Sequence, residues 1–263
     1  MSDVEVLVAC MDQIDDSLYA TMNLHTDAVL ANQGKHYFYQ EYHQIDGSLV
    51  KLISTADRGV GKKRNKGLMN ATGNYLLFAD QDIVYKDNYE ALVKAAFKKY
   101  PKADMIVFNL NYINRFTQVR KKDNKVKRIY FWNCMKYGAP RIAVRRKSVE
   151  KTCLSFSTLY GGGAIFSAGE DSLFIRQALK KGLKIYAIPC TIADVKQEES
   201  SWFRGYTEKY FIDKGVLLAN TFPVLKYILI YYFAFGLRNV TDSYTYRDIC
   251  GLMRVGIKKY KDM

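Results

Sequence analysis

A nearly unbroken apolar run, YLLFA at positions 75–79, stands between Gly73-Asn74 and the acids of Asp80-Gln81-Asp82. The run is too short for a helix and lacks the alternation of a strand with one wet face. It reads as a strand buried on both faces of a mostly parallel sheet. Such a strand delivers the residues after it to the carboxyl edge, where open α/β sheets place their ligands. Two carboxylates one residue apart at that edge repel each other unless a cation or hydrogen-bond donors neutralise them. Oxygen-only ligation suits Mn²⁺ or Mg²⁺, hard ions that also bind phosphate oxygens. Asp80 and Asp82 are therefore candidate metal ligands. They also suit an exposed turn before the helix expected at 86–99.

The rest of the chain repeats this logic. Apolar runs at 4–9, 28–31, 49–55, 105–110 and 183–188 read as strands. Helical patterns fall at 14–23, at 88–100 with Leu92, Val93, Ala96 and Phe97 on one face, and at 172–181 before Gly182. Strands alternating with helices predict a doubly wound α/β sheet. Beyond residue 200 the pattern turns helical, at about 206–220 and again at 222–237. The second of these segments is apolar all round between Lys226 and Arg238. It suits either a core helix or one lying in membrane headgroups.

Charge narrows the partners. Forty Lys and Arg against 26 Asp and Glu give a net +14, which calls for an anionic partner: nucleic acid, an anionic membrane surface or nucleotide phosphates. Residues 115–128 read as an exposed basic hairpin or loop, and Arg141, Arg145, Arg146 and Lys147 add to the same positive face. Within 57–67, DRGVGKKRNKG, a glycine turn feeds a basic helix expected at 62–71. It is no P-loop, because Gly61-Lys62 is followed by Lys63 rather than Ser or Thr. The start of that helix, with Lys62, Lys63 and Arg64, suits a diphosphate or a solvated basic face. Gly161, Gly162 and Gly163 let the backbone approach a ligand or take positive φ. Glu170 and Asp171 also read as a pair of acids favoured at a helix start.

Five scattered cysteines with no C-x-x-C spacing indicate reduced, mostly buried thiols in a cytosolic protein rather than a zinc site. His25, His36 and His43 match no metal spacing and read as surface or loop residues. Asp3 and Glu5 interrupt any secretory signal, and no apolar run reaches the roughly 18–20 residues that cross a bilayer. These features place the chain on the cytosolic side.

Taken together, VEVLVACMDQ, DRGVGKKRNKGLMNATGNYLLFADQDI and GGG…AGEDSLFIRQALKKGLKIY resemble family 2 glycosyltransferases across about residues 4–200. The ordered spacing of basic-Asn-x-Gly, Ala-x-Gly-x-Tyr, strand and Asp-x-Asp carries the resemblance. The closing EESSWFRGYTEKYF is similar to the branch that assembles bacterial surface polysaccharides. The resemblance implies a GT-A type, Rossmann-like mostly parallel sheet flanked by helices, with a C-terminal helical appendage. Residues 1–200 would form the glycosyltransferase domain, with a nucleotide-sugar half at about 1–110 and an acceptor half at about 111–200. Residues 201–263 would be the helical segment, in peripheral contact with an anionic membrane.

The implied activity is an inverting, metal-dependent hexosyl transfer. The donor would be a nucleotide sugar, with UDP favoured, and the acceptor a glycan, lipid-linked at the inner membrane face. By position, Ala9, Met11 and Asn32 fall on the nucleotide base. Asp57, Gly61, Arg64, Asp80 and Gln81 fall on the rest of the nucleotide sugar, and Asp80 and Asp82 on Mn²⁺ or Mg²⁺. Asp171 falls on the catalytic base with Glu170 beside it, and Gly162, Gly163 and Trp202 on the acceptor. Two departures stand out. No histidine follows His43, so Gln197, Glu198 or water would complete the metal's ligands, and Met11 and Asn32 replace a common aromatic and aspartate. A nucleotidyltransferase and a basic nucleic-acid-binding protein are the competing readings.

Overall fold

Alternation inside VEVLVACM decides the layering. Val4, Val6, Val8 and Cys10 enter one apolar core and Leu7 the other, so this strand is covered on both sides. The computed structural model describes residues 2–113, 122–196, 205–239 and 242–262. It divides into two units, 1–158 with 170–199 and 159–169 with 200–263.

The first unit runs β1 (Val4–Met11), α1 (Leu18–Thr21), β2 (Ala28–Gln33), β3 (Phe38–His43), β4 (Leu49–Thr55) and α2 (Val60–Asn70). It continues through β5 (Tyr75–Asp80), β6 (Ile83–Tyr85), α3 (Tyr89–Lys99), β7 (Met105–Tyr112) and β8 (Lys127–Arg128). It closes with β9 (Ile142–Arg145), α4 (Arg146–Thr152), α5 (Glu170–Lys180) and β10 (Ile185–Val195). One sheet orders these strands β3-β4-β2-β1-β5-β9-β7-β10-β6, with β8 added to β10. β4, β2, β1 and β5 are parallel neighbours, as are β7 and β10; β9 runs antiparallel between β5 and β7. The chain leaves β1 toward β2 and returns on its other side as β5. That reversal opens a crevice at the carboxyl end of β1. Leu18, Tyr19, Tyr89, Val93 and Phe97, from α1 and α3, cover one face of the sheet. Phe174 and Ile175 of α5 cover the other, with Leu68 of α2 packed alongside.

Several expectations change. The helix expected at 14–23 shrinks to α1, because the Asp15 carboxylate accepts the Ser17 N–H in a side-chain turn. The aromatic, polar stretch before β4 forms the edge strand β3. The positive face assigned to Arg141, Arg145, Arg146 and Lys147 is smaller than expected: Lys147 is exposed, Arg145 and Arg146 are half-buried, and Arg141 is lost to the interior. Arg141 is buried, donates to the Phe108 carbonyl and pairs with Asp123 at 3.0 Å. Arg145 donates to the Ala103 carbonyl and lies over Phe97, while Arg146 donates to the Gly73 carbonyl. Backbone carbonyls and a buried acid, rather than solvent, receive these guanidinium groups. Of the expected loop at 115–128, residues 115–121 lie outside the described ones. All five cysteines are free; Cys10, Cys134 and Cys250 are buried, and Cys153 is exposed. The three histidines are exposed.

The second unit holds α6 (Glu208–Thr221), α7 (Lys226–Leu237) and α8 (Tyr246–Lys261). α6 and α8 cross at glycines. A Cβ on Gly256 would lie 2.0 Å from the Ile212 carbonyl, and one on Gly215 would lie 2.1 Å from that of Met253.

Candidate active site

Strand register brings the first candidates together. Asp80 ends β5 opposite Ala9 of β1, and Asn32 of β2 lies opposite Cys10. The Met11 N–H donates to Gln81 Oε1 at 2.8 Å, tying the end of β1 to the turn that carries Asp82. Asn32 is buried. Its amide donates to the Gln13 carbonyl (2.9 Å) and Ser54 Oγ (3.0 Å), and its Oδ1 accepts from the Gln13 N–H. Both amide hydrogens are thus engaged in shaping the loop after β1.

Helix α2 gives each residue of Arg-Asn-x-Gly its own task. Arg64 points to the acids. The Asn65 amide brackets Phe156, donating to its carbonyl at 2.9 Å and accepting its N–H at 2.7 Å. Gly67 lets the helix settle on Leu7, whose Cβ would lie 3.2 Å from an added methyl. Gly61, expected at the nucleotide, has the Ser157 carbonyl against its Cα, 2.2 Å from where a Cβ would sit. Gly61→Ala should therefore lower stability by about 1–3 kcal/mol, as other overpacked cores do. Urea denaturation checks this; an unchanged midpoint would contradict the packing role. Asp57 lies before α2, 3.8 Å from Lys62 and 3.6 Å from Lys66, and is not among the partners of Arg64.

Arg64 is the hub of the site. It is 4% exposed, and its Nη1 donates to Glu170 Oε1 at 3.0 Å and Asp171 Oδ1 at 2.6 Å. Its Nη2 donates to Asp80 Oδ1 at 3.1 Å. The guanidinium lies 5.3 Å from the ring centre of Phe156, which stacks on Phe174 at 3.9 Å. One side chain therefore links the end of β5, helix α2 and the first turn of α5. Burial opposes its charge, yet Asp171, Asp80 and Glu170 hold it more firmly protonated than usual. Lys63 is also buried and donates to the Cys10 carbonyl at 3.2 Å; burial lowers its pKa, with Cys10 and Asp80 pulling it back.

Four carboxylates against two buried cations leave a formal −4 + 2 = −2. The shortage of positive charge shows in titration. Burial, reinforced by Asp80, pushes Asp82 up to about 6. Burial, reinforced by Asp171 and offset by Arg64, pushes Glu170 up to about 7. A divalent cation at Asp80 and Asp82 would relieve this repulsion, so the donor set fits Mn²⁺ or Mg²⁺ completed by phosphate oxygens and water. Among the described residues no cluster of three His, Cys, Asp or Glu offers a cage made of protein alone. Gln197, Glu198 and Trp202 lie outside the described residues. Gly162 and Gly163 belong to the second unit, in a turn where Gly161 and Gly163 have φ of 103° and 79°. Sequence reading missed Asn65 and Phe156; the Asn of Arg-Asn-x-Gly signals the first, and nothing in the sequence signals the second.

Residues 36–156 match the family model described as Glycosyl transferase family 2. Among solved structures, S. aureus TarS 1–349 in complex with UDP-GlcNAc aligns at 16% identity over 90% of this chain and 73% of that one, with a TM-score of 0.62. The same protein in complex with UDP aligns at 16% identity over 91% and 74%, with a TM-score of 0.60. S. aureus TarS itself aligns at 14% identity over 93% of this chain and 44% of its own, with a TM-score of 0.59. A search of curated protein sequences gave no match. At these identities the structural likeness is one of fold. The segment 36–156 is thus similar to glycosyl transferase family 2, and the chain shares the mixed α/β, GT-A type fold of the solved structures it matches.

Proposed function

We propose that this protein is an inverting glycosyltransferase that moves a sugar from a UDP-linked donor to a hydroxyl of a glycan acceptor carried on a lipid. The observation that carries the reading is the gathering of Asp80, Glu170 and Asp171 around Arg64 at the carboxyl edge of the sheet. The UDP and UDP-GlcNAc complexes of TarS support the choice of nucleotide. The lipid carrier rests on the net charge of +14 and the aromatic segment around α7.

Breaking the bond between an anomeric carbon and a nucleoside diphosphate places negative charge on the leaving phosphate. Asp80 and Asp82 would hold the Mn²⁺ or Mg²⁺ that neutralises it when bound. Lys63 and Arg64 add fixed positive charge at the same edge. Asp171 accepts from Arg64 through Oδ1, which orients its carboxylate. The other carboxylate oxygen takes the proton of the acceptor hydroxyl as the hydroxyl oxygen forms its bond to the anomeric carbon and the diphosphate departs. Attack opposite the departing diphosphate inverts the configuration. Glu170, more deeply buried, steadies Arg64 at the same Nη1.

Thermal unfolding with UDP and Mn²⁺ tests the reading. Asp82 is raised above its unfolded value of about 3.9, so its stabilising effect is complete below that pH and is lost as pH rises through about 6. Ligand that binds the ionised form restores stability above that range. Wild-type protein should gain more in Tm from UDP with Mn²⁺ at about pH 7.5 than at about pH 5. Asp82→Ala should lose the dependence on Mn²⁺. Equal shifts with and without the metal would contradict the assignment.

A further inference from the structure

Helix α7 presents a surface that the chemistry around Arg64 does not use. Its inner side, Ile230 and Ala234, joins Phe211, Ile249 and Met253 in one apolar cluster. Away from it the helix is bare: Ile228, Tyr231, Tyr232 and Phe235 are each between 45% and 72% exposed, with Tyr227 half exposed at the edge and Val224 exposed in the turn before the helix. Positions 228, 231 and 235 follow the i, i+3, i+7 spacing of one helical stripe. Contiguous exposed apolar surface of this kind marks a docking face.

Cations edge the stripe. The Arg238 guanidinium lies 3.6 Å from the ring centre of Phe235. That of Arg254 lies 5.5 Å from the ring of Tyr231 and hydrogen-bonds its hydroxyl. Lys226 and Lys261 lie 5.6 and 5.9 Å from the ring of Tyr227. α7 carries no acid, and α8 carries Arg247, Arg254, Lys258, Lys259 and Lys261 against Asp248 alone. A second copy would bring its own cations against these, which disfavours self-association through this face. Phosphate headgroups above acyl chains match both halves of the pattern. At 12 residues α7 is about 18 Å long, short of the roughly 30 Å of a bilayer core, so it would lie in the membrane plane.

We propose that this face of α7 docks on an anionic lipid bilayer, with the stripe in the headgroup–acyl boundary and the cations on lipid phosphates. The inference is independent of the chemistry around Arg64. Co-sedimentation with vesicles tests it, using phosphatidylcholine alone and phosphatidylcholine mixed with phosphatidylglycerol. The full chain should bind the mixed vesicles, far less the neutral ones, and less as salt rises from about 0.1 M to about 0.5 M. Ile228→Ser with Tyr232→Ser should weaken binding about tenfold or more while leaving Tm unchanged, since both side chains are exposed. Lys258→Glu with Lys261→Glu should remove the preference for the anionic vesicles. Absence of binding to either vesicle would overturn the proposal. So would equal binding to both, or a concentration-dependent dimer abolished by the serine pair without any vesicle binding. UDP binding is read separately, so failure here leaves the transferase reading standing.

Discussion

Arg64→Met should destabilise the protein by roughly 3 kcal/mol at neutral pH. Removing one partner of a buried ion pair typically costs about 3–5 kcal/mol, because the remaining charge is left without compensation. Here three carboxylates lose the same partner. The lower end of the range applies, since the Asp80 side chain is 40% and that of Asp171 25% exposed, and water screens them. The loss has a signature in pH. Glu170 already sits at about 7 with Arg64 present, and losing the cation raises it further. Protonation then relieves the repulsion, so the variant should recover relative to wild type as pH falls toward about 5. Arg64→Lys should restore part of the stability but not all of it, because a compact ammonium cannot span the gap that Nη1 and Nη2 bridge between Asp80 and the Glu170–Asp171 pair. Urea denaturation across that pH range measures both effects. A loss below about 1 kcal/mol, or one independent of pH, would mean that the acids do not depend on Arg64.

How much of this was legible depends on whether the signal is local. The run at 75–79 became β5 because uninterrupted apolar residues leave few other placements, and 49–55 became β4 with Lys51 inside it. The basic-Asn-x-Gly spacing also held its meaning, since Arg64, Asn65 and Gly67 each do something their neighbours cannot. What sequence could not show is who receives the charge. Arg64 meets Glu170 and Asp171 across 106 and 107 positions, and Arg141 meets Asp123 across 18. Read locally, all these arginines look solvated. Edge strand β3 escaped for a related reason: FYQEYH pairs with β4 on one side only and buries little. Gly61 adds a constraint invisible in sequence, because a close backbone approach looks the same whether the neighbour is a phosphate or the Ser157 carbonyl. The α7 segment is apolar on every side, so only the fold reveals that one side is used and the other left open.

Asp171→Asn is the second change with a large expected effect, this time on rate rather than stability. Asparagine keeps the shape and an oxygen that can accept from Arg64 Nη1, so the fold and the donor pocket should survive. It loses the ability to take a proton at neutral pH. General-base assistance is worth about 10²–10⁴ in rate, so transfer should fall by that factor. Glu170→Gln should cost less in turnover, because Glu170 acts through Arg64 and not on the acceptor. The central claim is that the carboxylate at position 171 faces the incoming hydroxyl. Its most direct test is sugar transfer by Asp171→Asn, measured beside UDP affinity in Mn²⁺ on the same preparation. The account predicts near wild-type UDP binding with turnover reduced at least about a hundredfold. Turnover within a few-fold of wild type would contradict it.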